Sequence, residues 1–353
     1  MNTLKNDQSQ LVKPLVCVRS ITFNHAPYIV DAMNGFCMQQ TSFPFVCAVI
    51  DDCSTDGEQE VISNYLHEHF DLEDQSVVRN EETDDYKLIY ARHKENHNCF
   101  FVVLFLKYNH YSIGKGLRKK IYIEEFEKNA KYIALCEGDD YWIDPLKLQK
   151  QVDYMEANPF SVMCYSKANK FNQTNGRFVG EYGDDSSFDK QLFHDDIPTL
   201  TMLFRKSIFE QYQNENFPLT KWKMGDMPLC MYFYKHGQVE YMREVMGVYR
   251  ILDNSASHFV DVEKAFQFME NSLKVRLFML DRYGSEKVTK KQVAQQQLIW
   301  YLKLALKYDQ EIQSFDYKAF KEQFQLYSLK NDIKFFLIKR KWGRRLLGKK
   351  NQL

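Results

Sequence analysis

The sequence predicts an α/β fold built on a doubly wound, largely parallel sheet, and two observations carry that prediction. Short apolar runs at 15–21, 45–50 and 131–135 alternate with stretches of helical periodicity. The second and third of these runs end abruptly in carboxylates, Asp51-Asp52 and Glu137-Gly138-Asp139-Asp140. Ligands of open α/β sheets bind outside the carboxyl ends of the strands, so two acidic strand ends on one edge mark a site.

The elements follow in chain order. Residues 15–21 read as a first strand, followed by Thr22-Phe23-Asn24-His25-Ala26-Pro27. Asn24 as N-cap and Pro27 in the first turn predict a helix to about Gln39. A second strand at 45–50 ends in Asp51-Asp52-Cys53-Ser54-Thr55-Asp56-Gly57, with Ser54, Thr55 and Asp56 placed to cap a helix reaching about His69. Residues 71–85 are acidic and loop-like, and 99–106 reads as an inserted strand. Residues 109–120 form a basic loop before a helix, with Lys115, Arg118, Lys119 and Lys120 either solvated or facing a diphosphate.

After the central strand, 145–155 has helical spacing and stops before Pro159. Strand resumes at 162–165, 169–187 is a polar loop or irregular hairpin, and 199–205 is a further strand. Asp226 sits where an N-cap would, with Pro228 in the first turn of a helix that ends near Lys235-His236-Gly237. Strand-like 238–250 reaches Tyr249-Arg250, and a helical pattern of mixed charge runs from about 260 to 308. The expected division is 1–255 and 256–353, with the boundary near 254–258.

Composition narrows the class. The 353 residues suffice for one large domain with an appendage, or for two domains. A hydrophobic fraction of 44% with 15% aromatics excludes a disordered chain, and mean hydropathy of −0.50 argues for a soluble one. The longest apolar run, 99–106, is far short of the ~20 residues that span a bilayer, and 1–10 has no signal-peptide core, which predicts a cytoplasmic protein. Eight cysteines without a CxxC pair read as reduced, buried thiols, not a zinc site or disulfide framework.

Charge sums to zero but is unevenly spread. Residues 330–353 carry nine Lys or Arg against one acid, a net +8, which leaves −8 on the remainder. An acidic body is a poor binder of nucleic acid. Within 330–353, Phe335, Ile338, Trp342 and Leu346 recur at helical spacing among cations. A basic amphipathic helix of that kind suits an anionic membrane surface, or equally the acidic body itself.

Adjacent Asp139 and Asp140 admit two readings: a solvated turn before the next helix, or ligands of a hard cation such as Mg²⁺ or Mn²⁺. A second acidic strand end on the same edge favours the cation.

In order and spacing, these motifs resemble the inverting glycosyltransferases of family 2, which have the nucleotide-diphospho-sugar-binding GT-A fold. The matching residues are Thr22-Phe23-Asn24, the Asp51–Gly57 turn, Glu137-Gly138-Asp139-Asp140-Tyr141-Trp142 as a form of the DxD motif, Asp144-Pro145 and Gly225-Asp226. The resemblance implies a mostly parallel mixed sheet flanked by helices, with a helical C-terminal extension. It implies that the Thr22-Phe23-Asn24 turn binds nucleotide, Thr22 and Phe23 lining the base, and that Asp52 hydrogen-bonds the base. Asp139 would then hold the ribose and Asp140 a Mn²⁺ or Mg²⁺ ion, while Arg250, by its position after Tyr249 alone, is the candidate contact to the diphosphate. Asp226 would be the general base that deprotonates an acceptor hydroxyl as it attacks the anomeric carbon.

The QxxRW motif and transmembrane helices of processive members are not found, which points to transfer of a single sugar. The implied donor is a nucleotide-diphospho-sugar, a UDP-sugar by default. The implied acceptor is a glycan or lipid-linked glycan of bacterial surface polysaccharide or lipopolysaccharide assembly, with no nucleic acid partner. Two alternatives stand beside this: a nucleotidyltransferase, which would carry a Gly-rich basic loop where Thr22-Phe23-Asn24-His25 stands, and a non-catalytic nucleotide-sugar-binding module.

Overall fold

The computed structural model describes residues 11–114, 119–215, 217–252, 259 and 261–350. The elements are β1 (Val16–Thr22), α1 (Ile29–Cys37), β2 (Phe45–Asp51), α2 (Glu58–His69), β3 (Arg79–Glu82), β4 (Tyr86–Arg92), β5 (Cys99–Leu106), α3 (Lys119–Glu127) and β6 (Tyr132–Leu135). There follow β7 (Tyr141–Trp142), α4 (Lys147–Ala157), β8 (Ser161–Asn172), β9 (Arg177–Tyr182), α5 (Phe188–Gln191), β10 (Leu203–Arg205), α6 (Lys206–Asn214), α7 (Asp226–His236) and β11 (Gln238–Ile251). The helices α8 (Val262–Tyr283), α9 (Lys290–Tyr308), α10 (Tyr317–Phe324), α11 (Leu329–Ile338) and α12 (Lys341–Lys350) complete the chain.

Two compact units emerge, and both are discontinuous in sequence. The first comprises Met1–Asp185, Ile197–Asn214 and His236–Arg250; the second comprises Ser186–Asp196, Glu215–Lys235 and Ile251–Leu353. The first holds a mixed sheet of order β3-β4-β5-β2-β1-β6-β10-β8-β11-β7, with β9 paired to β8. The central block β5-β2-β1-β6 is parallel throughout. Antiparallel strands margin it, because β4 returns to β5 and β9 to β8 by short hairpins whereas parallel neighbours need a crossover.

Strand β2 is buried at every position, as a parallel strand covered on both faces must be. The two-residue side-chain period then divides the core. Phe45, Cys47 and Val49 pack with Ile29, Met33 and Phe36 of α1, while Val46, Ala48 and Ile50 join Ile123 and Phe126 of α3. All eight cysteines are free, and six of them are buried.

Several expectations need correction. Asn24 does not cap α1: it sits in the left-handed region at φ 58°, and the helix starts after Tyr28, which makes no side-chain cap. The 71–85 stretch is not all loop, since β3 lies within it and pairs with the unforeseen β4. Within 199–205 only β10 is strand, preceded by a 3-10 turn, and α6 follows it directly. Of the two readings of 169–187 the irregular hairpin is the one found, with the register shifting between Lys170 and Phe171. The basic segment is not one amphipathic helix: α11 ends at Ile338 and α12 begins at Lys341, so Phe335 and Ile338 are buried while Trp342 and Leu346 are exposed. Residues 115–118 of the basic loop, with Lys115 and Arg118, lie outside the described residues, as does the whole of the 254–258 boundary. No helix among the described residues is long and apolar enough to cross a membrane.

The second unit is helical and conventionally capped. Asp261 accepts from Lys264 at the start of α8, and Thr289 with Gln292 forms a capping box on α9. Phe266, Leu298, Tyr301, Phe335 and Ile338 share its core.

A lysine is among the buried ionisable groups of the first unit. Lys147 is fully buried, donating to Gln151 Oε1 at 2.8 Å with its ammonium 4.0 Å from the centre of the Trp142 ring. Burial lowers its pKa to about 7, from 10.5 in the unfolded chain. The unfolded chain therefore binds the extra proton between those values, and the contribution of Lys147 to stability rises with pH across that window. Urea unfolding of the wild type and Lys147→Met from pH 7 to 10 should show the stability advantage of the variant over wild type shrinking by up to roughly 1.4 kcal/mol per pH unit. A pH-independent difference would contradict a neutral or near-neutral buried amine.

Candidate functional site

The carboxyl ends of β1, β2 and β6 meet at one corner of the first unit. Register places Thr22 opposite Asp51, and the Asp52 amide continues the pairing by donating to the Thr22 carbonyl at 2.9 Å. Beyond β6, the chain stays against β1: Cys136 N donates to Arg19 O, and Gly138 N donates to Ile21 O, both at 3.2 Å. A Cβ on Gly138 would lie 2.2 Å from Thr22 Oγ1 and 2.5 Å from Thr22 Cβ. Only glycine lets the acidic loop come this close, so the residue between Glu137 and Asp139 follows from packing.

The loops after β1 and β2 are stitched together by side chains. Asn24 Oδ1 accepts from Thr55 N at 2.8 Å, Ser54 Oγ accepts from Asn24 N at 2.8 Å, and Asp56 Oδ2 accepts from Ala26 N at 2.9 Å. Glu58, the fully buried first residue of α2, gathers the rest. It accepts from the Thr22 hydroxyl, from His25 N at 2.9 Å and from Ser54 Oγ at 2.8 Å. Burial pushes its carboxyl above the usual range, and these three donors oppose that rise. Phe23 projects from the same turn and is 42% exposed, an apolar ring offered to solvent beside polar groups.

Asp52 is buried and strongly held. His110 N donates to Oδ1 at 2.8 Å, while Tyr111 N at 3.1 Å and Lys119 Nζ at 2.6 Å meet Oδ2. A carboxylate offers about four lone-pair sites, so capacity for a further donor remains.

Asp139 and Asp140 are organised by Arg250. Its backbone N–H donates to Asp140 Oδ1 at 2.7 Å, and Nε donates to the Asp139 carbonyl at 2.7 Å. Its Nη1 donates to Gln173 Oε1 at 2.8 Å and its Nη2 to Asp31 Oδ2 at 2.7 Å. The guanidinium carbon lies 4.9 Å from the centre of the Tyr28 ring and 5.0 Å from that of Tyr141. Asp140 is buried, and desolvation, followed by repulsion from Asp139 and Glu137, holds its carboxyl well above the ordinary value. Asp139 lies with one carboxylate oxygen 3.9 Å from His25 Nε2.

Among the described residues no group of three or more His, Cys, Asp or Glu is placed to hold a metal by itself. The corner nevertheless fits a hard divalent cation of the kind bound through one or two carboxylates with phosphate oxygens completing the shell. Its chemistry is right: a buried carboxylate crowded by two others is stabilised by a cation.

Asp226 belongs to the second unit. It is the first residue of α7, with its Oδ1 accepting from Met227 N at 2.8 Å. Asp195 lies near it, with its carboxyl raised by desolvation and then by the Asp226 charge, against the opposing pull of Arg276. Arg276 is buried, donating to Gln191 O at 3.1 Å and Ser272 Oγ at 2.6 Å.

Comparison with known proteins bears on this arrangement. The crystal structure of S. aureus TarS 1-349 in complex with UDP-GlcNAc matches with TM-score 0.52 and 16% identity, covering 92% of this chain and 79% of that one. The fold is that of the GT-A glycosyltransferases. In sequence, the chain is 29% identical over 240 residues to "Uncharacterized protein Rv1520" of Mycobacterium tuberculosis (strain ATCC 25618 / H37Rv), covering 65% of this chain and 57% of that protein. The match thus spans little more than half the length of that relative. It is 24% identical over 248 residues to "Putative teichuronic acid biosynthesis glycosyltransferase TuaG" of Bacillus subtilis (strain 168), covering 69% of this chain and 82% of that protein. No family model matches.

Within this GT-A fold, Thr22, Phe23, Asn24, Asp52, Asp139, Asp140 and Arg250 share one unit, and Asp226 lies in the other. Sequence reasoning missed Glu58, Asp31, Gln173 and Asp195. Glu58 stood in the turn sequence as an ordinary first-turn acid, and Asp195-Asp196 was a further carboxylate pair. Asp31 and Gln173 gave no signal, since their role depends on an arginine more than 70 residues away.

Two substitutions test the corner. Gly138→Ala should cost about 1–3 kcal/mol in urea unfolding, because Thr22 and the strand behind it must shift. Arg250→Lys retains the charge but not the planar fork, and should destabilise by about 1–3 kcal/mol, because a single ammonium cannot serve the Asp139 carbonyl, Gln173 and the half-exposed Asp31 together. Near-wild-type stability for either would show that the contacts are not energetically significant.

Proposed function

We propose that this chain is an inverting, metal-dependent glycosyltransferase that moves one sugar from a nucleotide-diphospho-sugar to an acceptor hydroxyl in surface polysaccharide or lipopolysaccharide assembly. The observation that carries this reading is the glycine-enforced seam of Gly138 on Thr22. It brings the Asp139-Asp140 carboxylates to the same strand edge as Phe23 and Asp52 in a GT-A fold. The TuaG relative supports the surface-polysaccharide setting, and the UDP-GlcNAc held by TarS supports a UDP-sugar as the first donor to test.

In this reading Phe23 stacks on the base, Asp52 accepts from it with its remaining lone pair, and Asp139 accepts from the ribose hydroxyls. Asp140 holds the cation. When bound, the cation supplies charge neutralisation for the departing nucleoside diphosphate. Arg250 keeps both carboxylates in place, and of its five N–H donors the two not used in these bonds suffice for a phosphate oxygen. Asp226 takes the proton of the acceptor hydroxyl, which attacks the anomeric carbon opposite the leaving group, so a single displacement inverts the centre.

A thermal-shift screen against UDP-, GDP-, dTDP- and CMP-sugars, with and without Mn²⁺, tests the donor site. One nucleotide should raise Tm in a metal-dependent way, by about 2.7 kcal/mol of stabilisation at a hundredfold excess over Kd. Stabilisation by none of them would overturn the donor-site reading, whereas stabilisation without transfer would favour a non-catalytic nucleotide-sugar-binding module. Asp140→Ala should abolish the metal-dependent part of donor binding. Asp226→Asn should leave donor binding intact and reduce turnover by about 10²-fold or more. Near-wild-type transfer by Asp226→Asn would refute the base assignment.

A further inference from the structure

The α11–α12 segment is unusual in what it leaves uncovered. Of the seventeen large hydrophobic side chains exposed among the described residues, six fall between Tyr327 and Leu346. On α11, Leu329, Ile333 and Phe336 follow at i, i+4 and i+7 and are 76%, 51% and 55% exposed. Their opposite number is the buried pair Phe335 and Ile338, which anchors the helix in the unit's core. On α12, Trp342 and Leu346 are 57% and 47% exposed at i and i+4. Each helix therefore has an outward apolar stripe that its own unit does not use.

The charges beside these stripes are of one sign. Lys330, Lys339, Lys341 and Arg345 are exposed, and no carboxylate faces them from within the segment. Asp332, its one acid, is already engaged by Lys321 at 2.7 Å and by the Tyr317 hydroxyl at 2.6 Å. Arg344 is likewise committed, donating to Asp309 Oδ1 and to the Ile338 carbonyl, so the exposed cations are distinct from those that hold the fold. Arg340 lies over the Phe336 ring at 3.8 Å, placing a guanidinium beside an exposed aromatic.

The break between the helices is built in. Gly343 lies so close to α11 that a Cβ would fall 2.1 Å from the Leu337 carbonyl oxygen. Any other residue there would push α12 away, so the pose of the two helices is fixed by packing.

We propose that α11 and α12 dock this chain onto an anionic lipid bilayer, with Trp342, Leu346 and the α11 stripe entering the interface and the exposed cations meeting lipid phosphates. Apolar and aromatic side chains alternating with cations match the two layers of such a surface, the acyl boundary and the charged headgroups. A second copy of the chain would set like charge against like charge across the contact. Nucleic acid would satisfy the cations but would give Leu329, Ile333 and Leu346 nothing apolar to enter. The idea goes beyond the transferase reading and is tested without donor or acceptor. Its failure leaves that reading standing, and failure of donor binding leaves this one standing.

The experiment is co-sedimentation of the full chain with vesicles of equal parts phosphatidylglycerol and phosphatidylcholine, and with vesicles of phosphatidylcholine alone. The chain should partition onto the anionic vesicles, come off as salt is raised, and show a blue shift of tryptophan emission that Trp342→Phe removes. Lys339→Glu, Lys341→Glu and Arg345→Glu combined should lower partitioning by roughly a hundredfold, since each cation near the lipid contributes roughly fivefold. Circular dichroism and Tm should not change, because these side chains are exposed. Trp342→Ser with Leu346→Ser gives a second variant that keeps the charge and should also release the chain. Absence of partitioning onto anionic vesicles would overturn the proposal. So would equal partitioning of both variants, tighter binding to a short RNA than to vesicles, or a Trp342-dependent dimer that excludes lipid.

Discussion

Everything at the acidic corner depends on one arginine being buried in the right place. Arg250 ties α1 through Asp31, the loop after β6 through Asp139 and Asp140, and the turn after β8 through Gln173, while Tyr28 and Tyr141 cover its faces. A guanidinium of fixed planar geometry can satisfy acceptors from several directions at once, which a flexible ammonium cannot. The consequence is that two adjacent carboxylates are held at a sheet edge before any ligand arrives. Preorganisation of that kind lets a site act on charge without first paying to assemble itself.

A second constraint sits beneath the loops after β1 and β2. Glu58 is buried against the Thr22 hydroxyl, the His25 amide and Ser54, so the turn after β1 and the turn after β2 are one hydrogen-bonded body. Thr22 and Asn24 therefore carry structural duty in addition to any contact with ligand, and the same holds for Asp52, whose carboxylate already receives His110, Tyr111 and Lys119. Sites built on such double duty are rigid, because moving a ligand-facing group also breaks a buried hydrogen bond. The two compact units divide the proposed labour between them: the donor-side groups belong to the first and Asp226, with Asp195 and Arg276 near it, to the second.

The sequence by itself determined the α/β class, the strand positions of β1, β2, β5 and β6, and the acidic strand ends, because each is a local pattern. Apolar runs of strand length flanked by helical spacing need no tertiary information to be read, and carboxylates at the end of an apolar run are conspicuous wherever the run folds. The marginal strands β3 and β9 were weak in the pattern because the outer strand of a hairpin need bury little. What only the tertiary structure decided were relations between residues far apart. Asn24 looks like a cap in sequence yet serves Thr55, since the partner amide lies 31 positions away. Gly138 reads as a turn glycine and is in fact the point where the acidic loop crosses Thr22. The basic amphipathic stretch was legible as such, but its single apolar face was not real: the helix ends at Ile338 and Gly343 lets α12 lie close against α11, so that Phe335 and Ile338 are buried while Trp342 and Leu346 remain outside. Periodicity reports which side chains share a face of one helix, whereas burial depends on what another element brings to that face, and one helix's spacing holds no record of it.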